Sequence, residues 1–295
     1  MSMLLSQNDA SPASFVKLPQ LEDARILAVL NQIEASRSAS WRLDDLASTV
    51  GLSPYQLHRR FKLVMGETVG DYVRRTRLDM AATLLCRGYT SILEAAIETG
   101  YGSQAAFTRA FSRQFGVSPA AARKAVLKQM PIPSADHRDF ARATRPQWQR
   151  RVPLIAMRFH GAHADAPRHW RRFAVYLQRL GYDLSRANAV GILYDDPGVT
   201  PEHRFRYDCC IVDEGYPAHL VGAPLRRQSI GLIEFASLDV KGPYSMIAEA
   251  IFGICNVWMN QQRRAIGTSP AYELHKRAPW SDSGVFEATI MVPLS

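Results

Sequence analysis

The sequence predicts two domains: an all-α N-terminal domain built from two helix-turn-helix units, and an α+β, pseudo-two-fold C-terminal domain. Three observations predict this. One pattern of small, turn and aromatic residues occurs twice in the first half, about fifty residues apart. The second half then changes to extended apolar runs alternating with two amphipathic helices, and that arrangement itself recurs at an offset near eighty residues. At 295 residues the chain is long enough for two domains that each bury a core. The expected divisions are a polar tail over 1–20, the helical domain over 21–128, a proline-bearing basic linker over 129–149, and the α+β domain over 150–295.

In the first helical copy Leu43, Leu46 and Ala47 form a short apolar face, Gly51 supplies the turn, and Ser53-Pro54 opens a second helix that turns Leu57 and Phe61 inward. Ile92, Ala95, Ala96, Gly100, Ser103, Phe107 and Phe111 repeat the pattern. Ala47 to Ala96 and Gly51 to Gly100 are 49 apart, whereas Leu57 to Phe107 and Phe61 to Phe111 are 50 apart, so one residue is inserted after the turn. Two helices crossing steeply with close backbones need a small residue at the crossing and glycine in the turn, and both copies have them. Val69 to Arg87 reads as one long helix between the copies.

The second helix of such a unit fits the DNA major groove, about 12 Å wide, with its outward side chains on base edges. Those side chains are Tyr55, His58 and Arg59 in the first copy, and Gln104, Thr108 and Arg109 in the second. Arginine can grip guanine bidentately, glutamine can do the same for adenine, and a methyl or aromatic group can pack on thymine. Ser53 and Ser103, at the helix N-termini, are candidates for phosphate, assisted by Arg60, Lys62 and Arg113. A rigid spacer would set the two helices roughly 34 Å apart, one DNA turn, so that a single chain reads consecutive grooves.

The stretch from Leu43-Asp-Asp-Leu-Ala to Phe61-Lys62, with Ile92 to Gly100-Tyr101, Phe107-Thr-Arg-Ala-Phe111 and Phe115-Gly-Val-Ser-Pro119, resembles the DNA-binding domain of AraC/XylS-family transcription regulators. The resemblance covers about Leu21 to Val126. It implies double-stranded promoter DNA as a partner, and RNA polymerase if the protein activates.

Charge agrees with this division. The net +9 resolves into 15 Lys+Arg against 10 Asp+Glu over 21–130, 5 against 2 over 131–151, and 15 against 14 over 152–295. The excess lies in the helical half and the stretch after it, as a phosphate-binding module requires. Cys86, Cys209, Cys210 and Cys255 form no CxxC pair, which points to a reduced, cytoplasmic setting. The first twenty residues read as a polar tail rather than a signal peptide, and no stretch approaches the roughly 20 apolar residues of a membrane helix.

In the second half, strand Leu154 to Phe159 corresponds to strand Ile230 to Val240, and the helix bearing Trp170, Phe173, Tyr176 and Leu177 corresponds to that bearing Ile247, Ile251, Ile254 and Trp258. Val190 to Tyr194 then matches Ala271 to Leu274, and Tyr207 to Val212 matches Phe286 to Val292. The seam between two strand-helix-strand-strand units is a natural concave site. Glu273 lies in that seam between Tyr272 and Leu274. Spacing alone leaves it open between a pocket carboxylate, which favours a cationic apolar ligand, and a strand-edge glutamate paired with Lys276 or Arg277.

Gly191-Ile-Leu-Tyr-Asp-Asp-Pro197, Arg206-Tyr-Asp208, Lys241-Gly-Pro-Tyr244, Pro270-Ala-Tyr-Glu273 and Val292-Pro-Leu294 resemble a GyrI-like (gyrase-inhibitor-like) effector-binding domain, from about Arg150 onward. The resemblance implies that Glu273 floors an aromatic-lined ligand groove and makes a small, cationic and lipophilic effector the expected ligand. Tyr194, Trp170, Tyr244, Trp258 and Tyr272 are the expected wall residues. Where the family often has tyrosine two residues after the glutamate, this chain has His275. The alternative implied by the family is a hydrolase or sequestering protein for reactive small molecules, with Glu273 activating water. His160, His163 and His169 lack a Cys or carboxylate in ligand register, and there is no glycine-rich phosphate loop or GxSxG elbow. No metal, cofactor or catalytic residue is expected, and the reading is a regulator rather than an enzyme.

Overall fold

The computed structural model describes residues 23–35, 39, 41–87, 90–196, 199–281 and 285–295; the expected tail, 1–20, lies outside them. The helical half runs α1 (Ala24–Ala35), α2 (Leu43–Thr49), α3 (Pro54–Met65), α4 (Val69–Cys86), α5 (Ile92–Glu98), α6 (Gln104–Phe115) and α7 (Pro119–Gln129). The two turn glycines take the left-handed conformation the repeat demands, at φ 64° for Gly51 and 81° for Gly100. The repeat continues past the helices, because α3 and α6 both end on left-handed glycines, Gly66 and Gly116.

Each unit has its own core. Ile26, Leu30, Leu46, Leu57, Phe61 and Tyr72 form one, and Leu78, Leu85, Ala96, Phe107, Phe111 and Phe115 form the other, so α4 is shared between them. Phe111 is fully buried between the rings of Phe107 and Phe115, with centroids at 5.5 and 4.5 Å. Phe111→Ala is therefore expected to cost about 3–5 kcal/mol by removing that ring and leaving a cavity. A denaturant melt showing less than about 1 kcal/mol would contradict a packed second unit.

The α+β half is built on one antiparallel eight-stranded sheet. Its strands are β1 (Arg145–Gln149), β2 (Val152–His160), β3 (Ala189–Leu193), β4 (Arg206–Val212), β5 (Leu225–Ile230), β6 (Ile233–Gly242), β7 (Ala271–His275) and β8 (Phe286–Pro293), in the order β1-β6-β8-β7-β3-β4-β2-β5. The expected internal repeat is present: β2, β3 and β4 form one unit, β6, β7 and β8 the other, joined at the seam where β3 pairs with β7. On one face, α9 (Ala166–Arg179) shares a core with Ile155, Met157 and Cys209. On the same face α10 (Met246–Phe252) shares a core with Leu238, Val240 and Ile290, and continues through a π-helical segment, Gly253–Trp258, into α11 (Met259–Gln262). The opposite face buries Leu154, Val190, Ile192, Cys210, Phe235 and Tyr272. Cys209 and Cys210 thus sit on opposite faces, and all four cysteines are free and buried.

Two expectations are corrected. The run from Ile230 is not one strand, because Gly231-Leu232 breaks it: β5 pairs with β2 at one edge, and β6 pairs with β8 and β1 near the other. The expected linker is folded. Ser134 and His137 close a capping box that starts α8 (Ala135–Ala143), and Phe140 and Ala141 pack with Trp258 and Ile254. A Cβ at Gly253 would fall 2.9 Å from both the His137 carbonyl oxygen and the Phe140 Cβ, so glycine there lets α8 lie against the π segment. β1 then adds to β6 as an edge strand, the position in a sheet that tolerates Pro146.

Candidate nucleic-acid surface and ligand groove

α3 and α6 present like faces. Tyr55, at 73% exposure, stands outward from α3 with His58, Arg59 and Lys62, and Gln104, Arg109 and Arg113 stand outward from α6. Thr108 is half-buried beside them. Arg59, Lys62, Arg109 and Arg113 have no intramolecular ion pair among the described residues. Arg60 differs, because it pairs with Asp23. Both serines are N-caps. Ser53 accepts from the Gln56 amide at 3.2 Å while Gln56 Oε1 accepts from the Ser53 amide at 2.9 Å. Ser103 accepts from the Ala106 amide at 3.2 Å, and alanine there cannot return the bond. Part of the N-terminal donor set of α3 is thus already used, whereas α6 keeps more of it. The 18-residue α4 connecting the units is about 27 Å long at 1.5 Å per residue.

On the helix-bearing face, Glu273 is fully buried in the β3–β7 seam, opposite Gly191. Tyr207 donates to its Oε2 at 2.6 Å, Tyr244 lies 3.2 and 3.3 Å from its two oxygens, and His163 Nε2 is 3.3 Å from Oε1. His275 Nε2 lies 3.4 Å from Oε2 without the alignment of a hydrogen bond. Trp170 completes the cage, donating to the Tyr207 hydroxyl at 3.0 Å. Burial alone would push the Glu273 carboxyl up, but His163, which hydrogen-bonds it, and then the neighbouring His275 outweigh burial and hold it down to about 2. Gly191 is required here by space: a Cβ would stand 2.7 Å from Glu273 Oε2 and would overlap the Tyr207 hydroxyl. Lys276 pairs instead with Asp239 at 2.6 Å.

Of the expected wall residues, Trp170 and Tyr244 join Glu273, and three do not. Tyr272 precedes Glu273 in a strand and so points to the opposite face, where it packs edge-on to Phe235. Tyr194 directs its hydroxyl to Asp208 Oδ2 at 2.8 Å, also on that face, so it does not touch Glu273, although it lines the cavity that borders His163 and Tyr207. Trp258 packs in the core beneath α10 and α8. The residues missed were Tyr207, His163 and the caging role of His275. Alternation along Arg206-Tyr207-Asp208 is the signal for the first, since it sends the tyrosine to the Glu273 face and the two charges to the other.

That other face meets the helical half. Glu34 of α1 accepts from Arg158 at 2.7 and 3.0 Å, from Arg226 at 3.2 Å and from Tyr72 at 2.9 Å, and lies 3.4 Å from Arg206. Asp208 takes the other sides of Arg158 and Arg226, and Asp195 takes Arg206. The Arg158 guanidinium also stacks 4.3 Å from the Tyr194 ring centroid. Three arginines face three carboxylates, all almost fully buried, so the cluster is neutral. Burial raises the Glu34 carboxyl, but the charges of Arg158 and then Arg226 dominate and hold it well below the usual range. A second tie lies nearby, where Arg87, the C-cap of α4, grips Asp196 at 2.8 and 3.0 Å.

Asp79 of α4 is less well compensated. Burial pushes its carboxyl up to about 6, Arg75 at 3.4 Å offsets this only in part, and Asp195 opposes ionisation further. A carboxyl whose folded-state pKa exceeds its unfolded value binds more protons when folded, so stability falls as pH rises from about 4 to about 6. Asp79→Asn is expected to raise the melting temperature at pH 7.5 and leave it nearly unchanged at pH 4. An equal change at both values would contradict this.

Paired capped helix-turn-helix units with matched outward arginines, followed by a sheet with a caged carboxylate in its seam, define a class of protein: a nucleic-acid-facing half joined to a small-molecule-binding half. Comparison with known proteins agrees. Residues 46–125 match the family of helix-turn-helix domains, and residues 149–295 match the GyrI-like small molecule binding domain. The chain belongs to the AraC/XylS family of transcription regulators and carries a GyrI-like domain after its helix-turn-helix units. It is similar to the probable transcription factor PqrA of Proteus vulgaris, 39% identical over 93 residues, which are 32% of this chain and 76% of that protein. It is also similar to the HTH-type transcriptional regulator MtrA of Neisseria gonorrhoeae, 33% identical over 103 residues, 35% of this chain and 34% of that one. Apart from PqrA, the chain spans about a third of the length of the curated relatives it matches. A solved AraC-type regulator from Chromobacterium violaceum is 27% identical over 37% of this chain and 95% of its own, with a TM-score of 0.33. No helix among the described residues is long and apolar enough to cross a membrane.

Proposed function

We propose that this chain is a sequence-specific DNA-binding transcription regulator controlled by a small effector held in its GyrI-like half. The observation that carries the first part is the pair Arg59 and Arg109, exposed and unpaired among the described residues, at matching positions of α3 and α6. In this reading Tyr55, His58 and Arg59, with Gln104, Thr108 and Arg109, face base edges, while Ser53, Lys62, Ser103 and Arg113 hold phosphates. The test is selection of binding sites from a random duplex library followed by anisotropy with the selected duplex. The expected result is a bipartite site whose halves lie about ten base pairs apart. A library that stays random after selection would overturn the reading.

The effector part rests on an ionised carboxylate set among aromatic rings, which suits a lipophilic cation. Binding is favoured over hydrolysis because a carboxyl held down to about 2 is a weak base and both its oxygens are already bonded. Glu273→Gln should weaken tetraphenylphosphonium binding about tenfold or more while sparing neutral aromatic probes. Ester turnover that vanishes in the same variant would instead favour the hydrolase.

A further inference from the structure

A cavity of about 420 Å³ runs from the Glu273 cage to the helical half, sharing His163 and Tyr207 with the cage and ending on Met80 and Thr83 of α4 and on Arg87. Its volume falls within the range of about 300–1,000 Å³ usual for small-molecule sites. Met80 and Thr83 stand at i and i+3 on one side of α4, and Arg87 is the residue that caps its C-terminus. The facing walls are apolar: Leu193, Ala271 and Val292 from the sheet, and Ile251, Phe252 and Cys255 from α10 and the π segment. Charged groups on the rim are matched internally, Arg87 with Asp196, Arg206 with Asp195, and His137 with Glu249 at 2.5 Å. Burial pushes the Cys255 thiol up to about 12, so it stays protonated and belongs to the apolar wall.

We infer that the effector site of this chain is shared between its halves, with α4 as one wall, and that the body of the molecule it takes is largely apolar and ring-bearing. This rests on the reading of the C-terminal half as effector-binding and names what that site touches. α4 is the helix common to both helix-turn-helix cores, and its remaining faces carry Leu78, Leu85 and Tyr72 into them. A ligand against Met80 and Thr83 therefore touches the element that spaces α3 from α6. No separate relay through the sheet is needed. Because binding and DNA affinity are then linked through one contact, each alters the other by the same factor.

The test uses the full chain and N-phenyl-1-naphthylamine, a neutral aromatic probe whose fluorescence rises on entering an apolar site. Thr83→Trp, which fills the cavity from the α4 side, should weaken the probe at least tenfold. Arg74→Ala, on an exposed part of α4, should leave it unchanged. In case Thr83→Trp does not fold, hydrogen exchange on the unmodified chain gives a second readout: the probe should slow exchange over residues 80–87 as well as in β3 and α10. Probe binding indifferent to Thr83→Trp, with protection confined to the sheet and α9–α10, would overturn the shared site but leave an effector groove around Glu273 standing. Absence of binding by both this probe and tetraphenylphosphonium would overturn the effector reading itself.

Discussion

Glu34→Ala is expected to destabilise the chain by about 3–5 kcal/mol and to loosen the two halves from each other. Arg158, Arg206 and Arg226 remain buried in that variant with only Asp208 and Asp195 for company, leaving an uncompensated positive charge away from water. Tyr72 and Asn31 keep hydrogen-bond contact with Arg206 and Arg226, so geometry survives better than charge balance. Glu34→Gln separates the two effects, because it retains acceptor capacity on one oxygen while removing the charge. Urea unfolding followed by tryptophan fluorescence should show the midpoint falling in both variants, most in the alanine. The depressed Glu34 carboxyl adds a pH signature: its stabilisation is full above its unfolded value near 4.3 and is lost as pH falls through the lower folded value. Acid should therefore weaken the contact between halves in the unmodified chain and change Glu34→Gln much less. A loss below about 1 kcal/mol in Glu34→Ala would mean that water reaches the cluster and that the halves are not held through it.

The second large effect belongs to the outward arginines. Each bidentate arginine–guanine contact is worth about 1–3 kcal/mol of discrimination, so Arg59→Ala with Arg109→Ala should lower affinity for a selected duplex by two to four orders of magnitude. Because the two side chains sit on different helices joined by the 18-residue α4, their single effects should add in free energy. Affinity for unrelated duplex should fall far less, since Lys62, Arg113 and the helix N-termini remain for phosphate. Lys62→Ala is the contrasting case: it should weaken all duplexes alike and reduce the slope of log affinity against log salt by about one. Equal loss on selected and unrelated DNA in the arginine double variant would reassign both residues to the phosphate backbone.

Much of the fold was legible because its signals are local. A left-handed glycine, a capping serine and an inward aromatic pair each leave a mark on their own few residues, and Gly51/Gly100, Ser53/Ser103 and Phe61/Phe111 behave as the repeat requires. The strand-helix-strand-strand repeat was readable for the same reason, as was the placement of Glu273 at its seam. What the sequence hides is pairing at long range. Glu34 and Arg158 are 124 positions apart, and nothing in either neighbourhood marks them as partners. α8 and β1 were hidden by composition, since a proline-bearing basic run looks like a tether until the apolar surface of α10 is there to receive Phe140 and Ala141. Tyr272 is legible by alternation: neighbours in a strand face opposite ways, so it does not share a face with Glu273.

Occupancy of the C-terminal half is expected to change DNA affinity in the same molecule. The most direct test is the anisotropy-derived Kd of the full chain for its selected duplex, measured at fixed salt across a titration of N-phenyl-1-naphthylamine or tetraphenylphosphonium. A saturable change of about fivefold or more is expected, with a midpoint that matches the ligand's own Kd. A Kd for DNA that stays constant while either ligand saturates the protein would contradict it.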